Sequence, residues 1–162
     1  MFALIAALLA SQAAPANAAH DWWYLSLIAD DPADMATVYA DLASRRQAGD
    51  RVTINEAMEL QRVSSRGYIS SRTTIAYDCR ARTAQIVDAS FLGPDGQVRE
   101  TSQGDPAPHG VEPGSAYEAT MNYACGSGEG LEQLGRLTLR EHAGLLFQAY
   151  LDHLAAQARQ RH

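Results

Sequence analysis

The chain has 162 residues, 46% of them hydrophobic, with 13 cationic against 19 acidic side chains and a formal net charge of −6. That acidity argues against general nucleic-acid binding, which needs a basic footprint. The length suffices for one domain with a real core. Every cationic residue is Arg and none is Lys, which a GC-rich genome explains without any function.

The first element is a leader. Met1–Ala10 is an apolar run, and the small, polar stretch that follows ends in Ala16-Asn17-Ala18. Signal peptidase closes on small residues flanking its cut, so the pattern predicts a secretory signal peptide over 1–18, cleaved after Ala18. The leader departs from the usual pattern in having no Lys or Arg before the apolar run. A membrane anchor would need about 20 apolar residues, roughly twice the run, and no later segment is apolar enough to span. No cysteine ends the leader, so a lipoprotein is not expected. The mature protein is therefore expected in the periplasm or outside the cell, not spanning the membrane.

Strands come next. Trp22–Ile28 is aromatic and β-prone, and Asp30-Asp31-Pro32 ends it because Pro fixes φ and lacks an N–H. Thr37–Leu42 reads as a short second strand and Gln47–Asp50 as a turn. In Arg51–Leu60, residues Val52, Ile54, Glu56, Met58 and Leu60 share one face by period-2 alternation, with Glu56 breaking its apolar character. Tyr68–Cys79 and Thr83–Leu92 are clearer strands. Gly93-Pro94-Asp95-Gly96 is the strongest hairpin signal, returning through Gln97–Gln103.

Helix follows strand. The Pro- and Gly-rich stretch 104–114 reads as a loop. Ser115 is an N-cap with Glu118 completing a capping box, which predicts a short helix to about Ala124 that delivers Cys125. Gly126–Gly130 reads as a hinge. Leu131 to about Arg159 reads as one long amphipathic helix, its stripe running through Leu139, Ala143, Leu146, Phe147, Tyr150, Leu151, Leu154 and Ala158. The predicted fold class is α+β: an antiparallel sheet of about five or six strands, a short helix, a long C-terminal amphipathic helix and one disulfide. The organisation that follows is a signal peptide over 1–18, a disulfide-closed unit over 19–126, and the hinge with its helix over 127–162.

Charge is uneven along the chain. Between His20 and Ser44 there are five acids and no Arg; Arg45–Arg99 holds nine Arg against six acids; Glu100–Gly135 holds six acids and no Arg. Such blocks either steer a partner or compensate one another across neighbouring strands.

The chemistry-bearing residues are few. In an oxidising compartment two cysteines bond by default, and a loop with 45 residues between Cys79 and Cys125 gives about 4 kcal/mol on the chain-entropy account. A redox pair or metal ligands would be the alternatives, but there is no C-x-x-C and no histidine close to either cysteine in sequence. Gly126–Gly130 lacks both the P-loop Lys and dinucleotide spacing, and Ser127 is not in a G-x-S-x-G elbow. His142 and His153 share a helical face some 16 Å apart, about three turns, too far to ligate one metal. His109 reads as a solvated loop residue, and His20 and His162 lie near the ends. No acid pair, including Glu56/Glu59, stands in an evidently apolar setting that would raise a pKa for acid catalysis. No metal site or cofactor is expected. Trp22 and Trp23 are adjacent and point to opposite sides of their strand: one is expected in the core, while the other, if exposed, is a candidate binding anchor.

Several of these features, in this order, resemble the surface-adhesin E type of bacterial envelope domain. They are a first strand opening on Trp22-Trp23-Tyr24, a strand–turn–strand over Val38–Met58, a strand closing on Tyr77-Asp78-Cys79, a glycine-bounded hairpin turn, and a proline with a short helix ending in the second cysteine over Pro113–Cys125. The resemblance covers about residues 22–125. It implies an antiparallel sheet with a packed helix and one disulfide. It further implies an adhesin of the outer membrane that binds host matrix proteins and can dimerise. Two departures are the missing lipobox cysteine and the unusually long helix after Cys125.

Three function classes follow. The first is an exported, non-catalytic module binding an unknown protein or other envelope or host component. The second is a structural envelope protein that pairs through its C-terminal helix as a homodimer. An enzyme is the least supported, because no triad, metal motif or cofactor loop is visible.

Overall fold

The computed structural model describes residues 20–126 and 132–160. The expected leader over 1–18, most of the Gly-rich hinge and His162 lie outside the described residues. Eight strands form one antiparallel sheet: β1 (Trp22–Ile28), β2 (Ala36–Ala48), β3 (Arg51–Leu60), β4 (Ser70–Asp78), β5 (Thr83–Leu92), β6 (Val98–Ser102), β7 (His109–Gly110) and β8 (Glu132–Gln133). The spatial order is β6-β5-β4-β3-β2-β1-β8, with β7 beside the first half of β5. The six longer strands fall where the sequence predicts strands. The two additional strands are two residues each, too short to leave a periodic signal.

β2 runs six residues past its expected end. Its register breaks between Asp41 and Arg46, where an irregular bulge is held by side chains rather than by the ladder. The Ser44 hydroxyl donates to the Asp41 carbonyl at 2.6 Å and accepts the Asn55 N–H at 2.8 Å. A polar bulge of this kind erases alternation over the stretch where the strand would be read. The β5–β6 hairpin closes as expected, with the Gly93 N–H donating to the Gln97 carbonyl and Gly96 at φ 74°.

Each face of the sheet carries its own helix and its own core. α1 (Ala116–Ala124) covers one face, where Ala40, Val52, Ile54, Ile75, Tyr77, Met121 and Ala124 form a core. α2 (Leu139–Gln160) covers the other, where Met35, Tyr39, Ala57, Leu134, Leu139, Ala143 and Phe147 form a second core. Alternation along β3 sends Val52 and Ile54 to the α1 face and Ala57 to the α2 face, as the period of two requires.

Ser115 caps α1, accepting the Glu118 N–H at 3.2 Å. The reciprocal half of the expected capping box is displaced by one residue. The Glu118 carboxylate takes the Gly114 N–H at 2.7 Å, while the Ser115 N–H is already given to the Glu112 carbonyl. The helix delivers Cys125 as its C-cap, and Cys79 and Cys125 are bonded with their Cα atoms 5.8 Å apart.

The expected single helix from Leu131 is corrected at its start. Glu132 and Gln133 pair with Tyr24 and Trp23 of β1, Gly135 turns the chain at φ 61°, and the helix begins at Leu139. Thr138 and Glu141 form a reciprocal capping box: the Thr138 N–H donates to Glu141 Oε2 at 2.9 Å and the Glu141 N–H to Thr138 Oγ1 at 3.2 Å. The Thr138 N–H and the Thr138 hydroxyl, which donates to the same Oε2 at 2.8 Å, lower the Glu141 carboxyl pKa. T-x-x-E was legible in the sequence, but the apolar stripe extended backwards past it masks it. Along α2, Leu139, Ala143 and Phe147 are buried, whereas Leu146, Tyr150, Leu151 and Leu154 are only half-buried and Ala158 is exposed. Among the described residues, no helix is long and apolar enough to cross a membrane.

Candidate functional site: a groove beside helix α2

The two tryptophans point to opposite faces of β1, as adjacent strand residues must. Trp22 lies on the α2 face, stacked on His20 with ring centroids 5.4 Å apart. The Arg72 guanidinium sits 5.9 Å from its ring centroid. Trp23 lies on the α1 face against Tyr123, 6.1 Å between centroids, and its indole N–H donates to Asp21 at 3.1 Å. The expectation that one tryptophan lies in the core is corrected: both are half-buried.

α2 lies over β1, β2 and β3, so the same face of β4 and β5 stays open. There the strands turn polar, as an uncovered sheet face must. Two adjoining hollows of about 620 and 460 Å³ result, sharing His20, Trp22, Arg72 and Leu139. The larger is walled by the β5–β6 turn and the start of α2 with Arg140. The smaller runs over Asn55, Thr74, Asp88 and Ser90.

Under this groove lies Glu59, 2% exposed. Arg72 Nη2 donates to its Oε1 at 3.0 Å, and Arg140 Nη1 stands 4.0 Å from Oε2. Burial raises the Glu59 pKa and the two guanidiniums pull it back. On the other face, three residues earlier on the same strand, Glu56 is 6% exposed and its Oε2 accepts the Thr120 hydroxyl of α1 at 2.6 Å. Burial pushes its pKa from 4.5 up to about 7, against the pull of that hydrogen bond. Burial raises both pKa values, which corrects the expectation that no acid pair, Glu56/Glu59 included, stands in a setting that would do so. The break Glu56 makes in an apolar face was the visible signal of one of them.

Histidines divide similarly. His142, expected on one helical face with His153, is buried: its Nδ1 lies 3.1 Å from the Tyr39 hydroxyl, and its ring packs against both Tyr24 and Tyr39. Burial pushes the Tyr39 hydroxyl up to about 12. This Tyr–His pair is closed to a substrate. His153 is exposed and meets Gln157. His109 is an exposed loop residue 3.6 Å from Asp105. His20 reaches the buried Asp41 carboxylate at 2.8 Å, which fixes the ring against Trp22. Among the described residues, no cluster of three or more His, Cys, Asp or Glu is placed to hold a metal.

An antiparallel sheet covered by one helix on each face, with a disulfide tying the first helix to β4, defines a small α+β domain with an open polar groove. A model of the family described as surface-adhesin protein E matches residues 24–126, and the chain belongs to that family. Among solved structures it is similar to crystal form II of Haemophilus influenzae protein E, at 14% identity over 64% of this chain and 87% of that chain, with a TM-score of 0.48. No curated protein sequence matches significantly.

Proposed function

We propose that the chain is an exported, non-catalytic domain of the bacterial envelope that binds a protein or other macromolecular partner through the groove beside α2. The observation that carries this reading is the convergence of Trp22, His20, Arg72 and Arg140 on one open surface, above a buried carboxylate that holds Arg72 in place. Tryptophan and arginine are the side chains that most often dominate binding energy, and a pre-positioned guanidinium loses little freedom on docking. Family membership supports an adhesin-like role, and the disulfide supports an oxidising compartment. Trp22 is the anchor in this reading, and Trp23 a secondary one on the opposite face of the same strand.

The test is a paired capture from envelope and host-matrix extracts on immobilised wild type and on Trp22→Ala. A partner held by the wild type should be lost or weakened at least about tenfold in the variant, as for a hot-spot residue. Nothing above background, or equal retention by both, would overturn the groove as the binding site.

A second reading rests on a different observation. Leu145 is 60% exposed, and the half-buried Leu146, Tyr150, Leu151 and Leu154 continue beyond the core on α2. Pairing of two α2 helices would cover them. Light scattering on the mature protein separates the readings, since a monomer at all concentrations rules this one out.

A further inference from the structure

The acidic block over 100–135 finds no role in the α2 groove, and part of it surrounds a second hollow on the opposite side of the molecule. β7 and the start of α1 fold over the outer end of β5 and enclose about 290 Å³. Ala84 and Ile86 of β5 form the floor and Val111 and Tyr117 the apolar walls, and Asp105, His109, Glu112 and Ser115 are among the other lining residues.

The hollow is built by the backbone. Gly104 runs so close to β5 that a Cβ there would lie 2.1 Å from the Ile86 carbonyl oxygen, and its φ of +75° is open chiefly to glycine. That approach lets the Asp105 N–H donate to the Ile86 carbonyl at 3.0 Å, while the Gln85 amide donates to the Asp105 carbonyl at 3.1 Å. At the far end the Val111 N–H donates to the Arg82 carbonyl at 3.0 Å. The loop is thus fastened on both sides of the opening.

Two acids, Asp105 and Glu112, line the hollow against one residue able to carry a positive charge, His109. Arg82, whose carbonyl takes the Val111 N–H, is engaged by Glu118. Asp105 has His109 at 3.6 Å as its ion-pair neighbour. Burial, with the carboxyls of Glu56 and Asp105, raises the Tyr117 pKa, so that wall stays a neutral phenol. An apolar floor with carboxylates at its edge complements an apolar group bearing a positive charge and repels an apolar acid. The volume lies at the lower end of small-ligand sites, about 300 Å³, which suits one ring or a short alkyl chain.

We infer that this hollow is a binding site for a small apolar amine, its hydrocarbon part against Ala84, Ile86, Val111 and Tyr117 and its ammonium beside Asp105 and Glu112. The site is separate from the α2 groove and does not depend on that reading. The test is titration of the isotope-labelled mature protein with phenethylamine, phenethyl alcohol and hydrocinnamate, followed through the backbone amides of Ile86, Val111 and Tyr117. The amine should shift these signals and bind roughly fivefold tighter than the alcohol, the scale of a partly exposed charge pair. Hydrocinnamate should leave them unmoved. The doubly neutralised Asp105→Asn/Glu112→Gln variant, altered only at solvent-reaching side chains, should keep its circular dichroism and bind amine and alcohol equally. Trp22→Ala should bind the amine as the wild type does. No shift with the amine, binding of hydrocinnamate as tight as the amine, or an amine preference that survives in the double variant would each overturn the site.

Discussion

The two faces of the sheet solve the same problem in different ways. Each buries a glutamate from β3 beneath a helix. On the α1 face Glu56 has a hydroxyl for company and stands in an apolar core, so the neutral acid is the favoured form up to about pH 7. On the α2 face Glu59 meets Arg72 and Arg140, and the cations that compensate it also line the open groove. The α1 face is closed covalently by Cys79–Cys125; the described cover of the α2 face is held by packing and hydrogen bonds. The contrast shows that a buried acid stabilised by hydrogen bonding leaves nothing at the surface. One stabilised by arginine places a fixed cation where a partner can reach it.

The sharpest way to break the comparison is to remove the covalent tie. Cys79→Ser/Cys125→Ser should lose about 4 kcal/mol of unfolding free energy for a separation of 46 residues, read from the denaturant midpoint. The strands should stay recognisable by circular dichroism. Loss of all sheet signal would mean that the two faces are not independently held.

Next in size is Glu56→Gln. The native state holds a proton that the unfolded chain releases, because the folded pKa of about 7 lies above the ordinary 4.5. The stabilisation is therefore complete below about pH 4.5 and is lost as pH rises through about 7, by on the order of 3 kcal/mol. Glutamine cannot ionise, so the variant should show a flatter stability profile across that window and exceed the wild type in alkaline buffer. An unchanged slope would show that Glu56 is not the group responsible.

The smallest effect belongs to the α2 face. Arg72→Ala should cost roughly 2 kcal/mol by leaving Glu59 with Arg140 alone, less than for a fully buried pair because Arg72 is partly exposed. Adding Glu59→Gln should recover most of that loss. If the double variant is no more stable than Arg72→Ala, the arginine acts by packing on Trp22 rather than by charge.

Much of the fold was legible because its signals are local. The extents of β3 and β5, the 93–96 hairpin, the Ser115 cap and the cysteine at the end of α1 each rest on a few neighbouring residues. Of the candidate site, Trp22 was legible but its companions were not. Arg72 reads as one more polar strand residue, and Arg140 as one more polar position on a long helix. His20 gains its place only by reaching Asp41 across 21 positions. The buried pairs Glu56–Thr120 and Tyr39–His142 join residues 64 and 103 positions apart.

The sequence by itself determined which residues share a side of each strand, where the turns fall and which two cysteines are available to bond. Period and turn chemistry are properties of the chain over a few residues. Tertiary structure decided what covers each side. It brought Thr120 onto Glu56, set Arg72 and Arg140 on Glu59, paired β7 with β5, and started α2 at Leu139 after a strand at the sheet's far edge. Those outcomes depend on long-range pairing and on how far a helix reaches across a sheet, and no local pattern encodes either. A period of two assigns a side chain to a face; only the packed fold determines whether that face meets a helix, a cation or water.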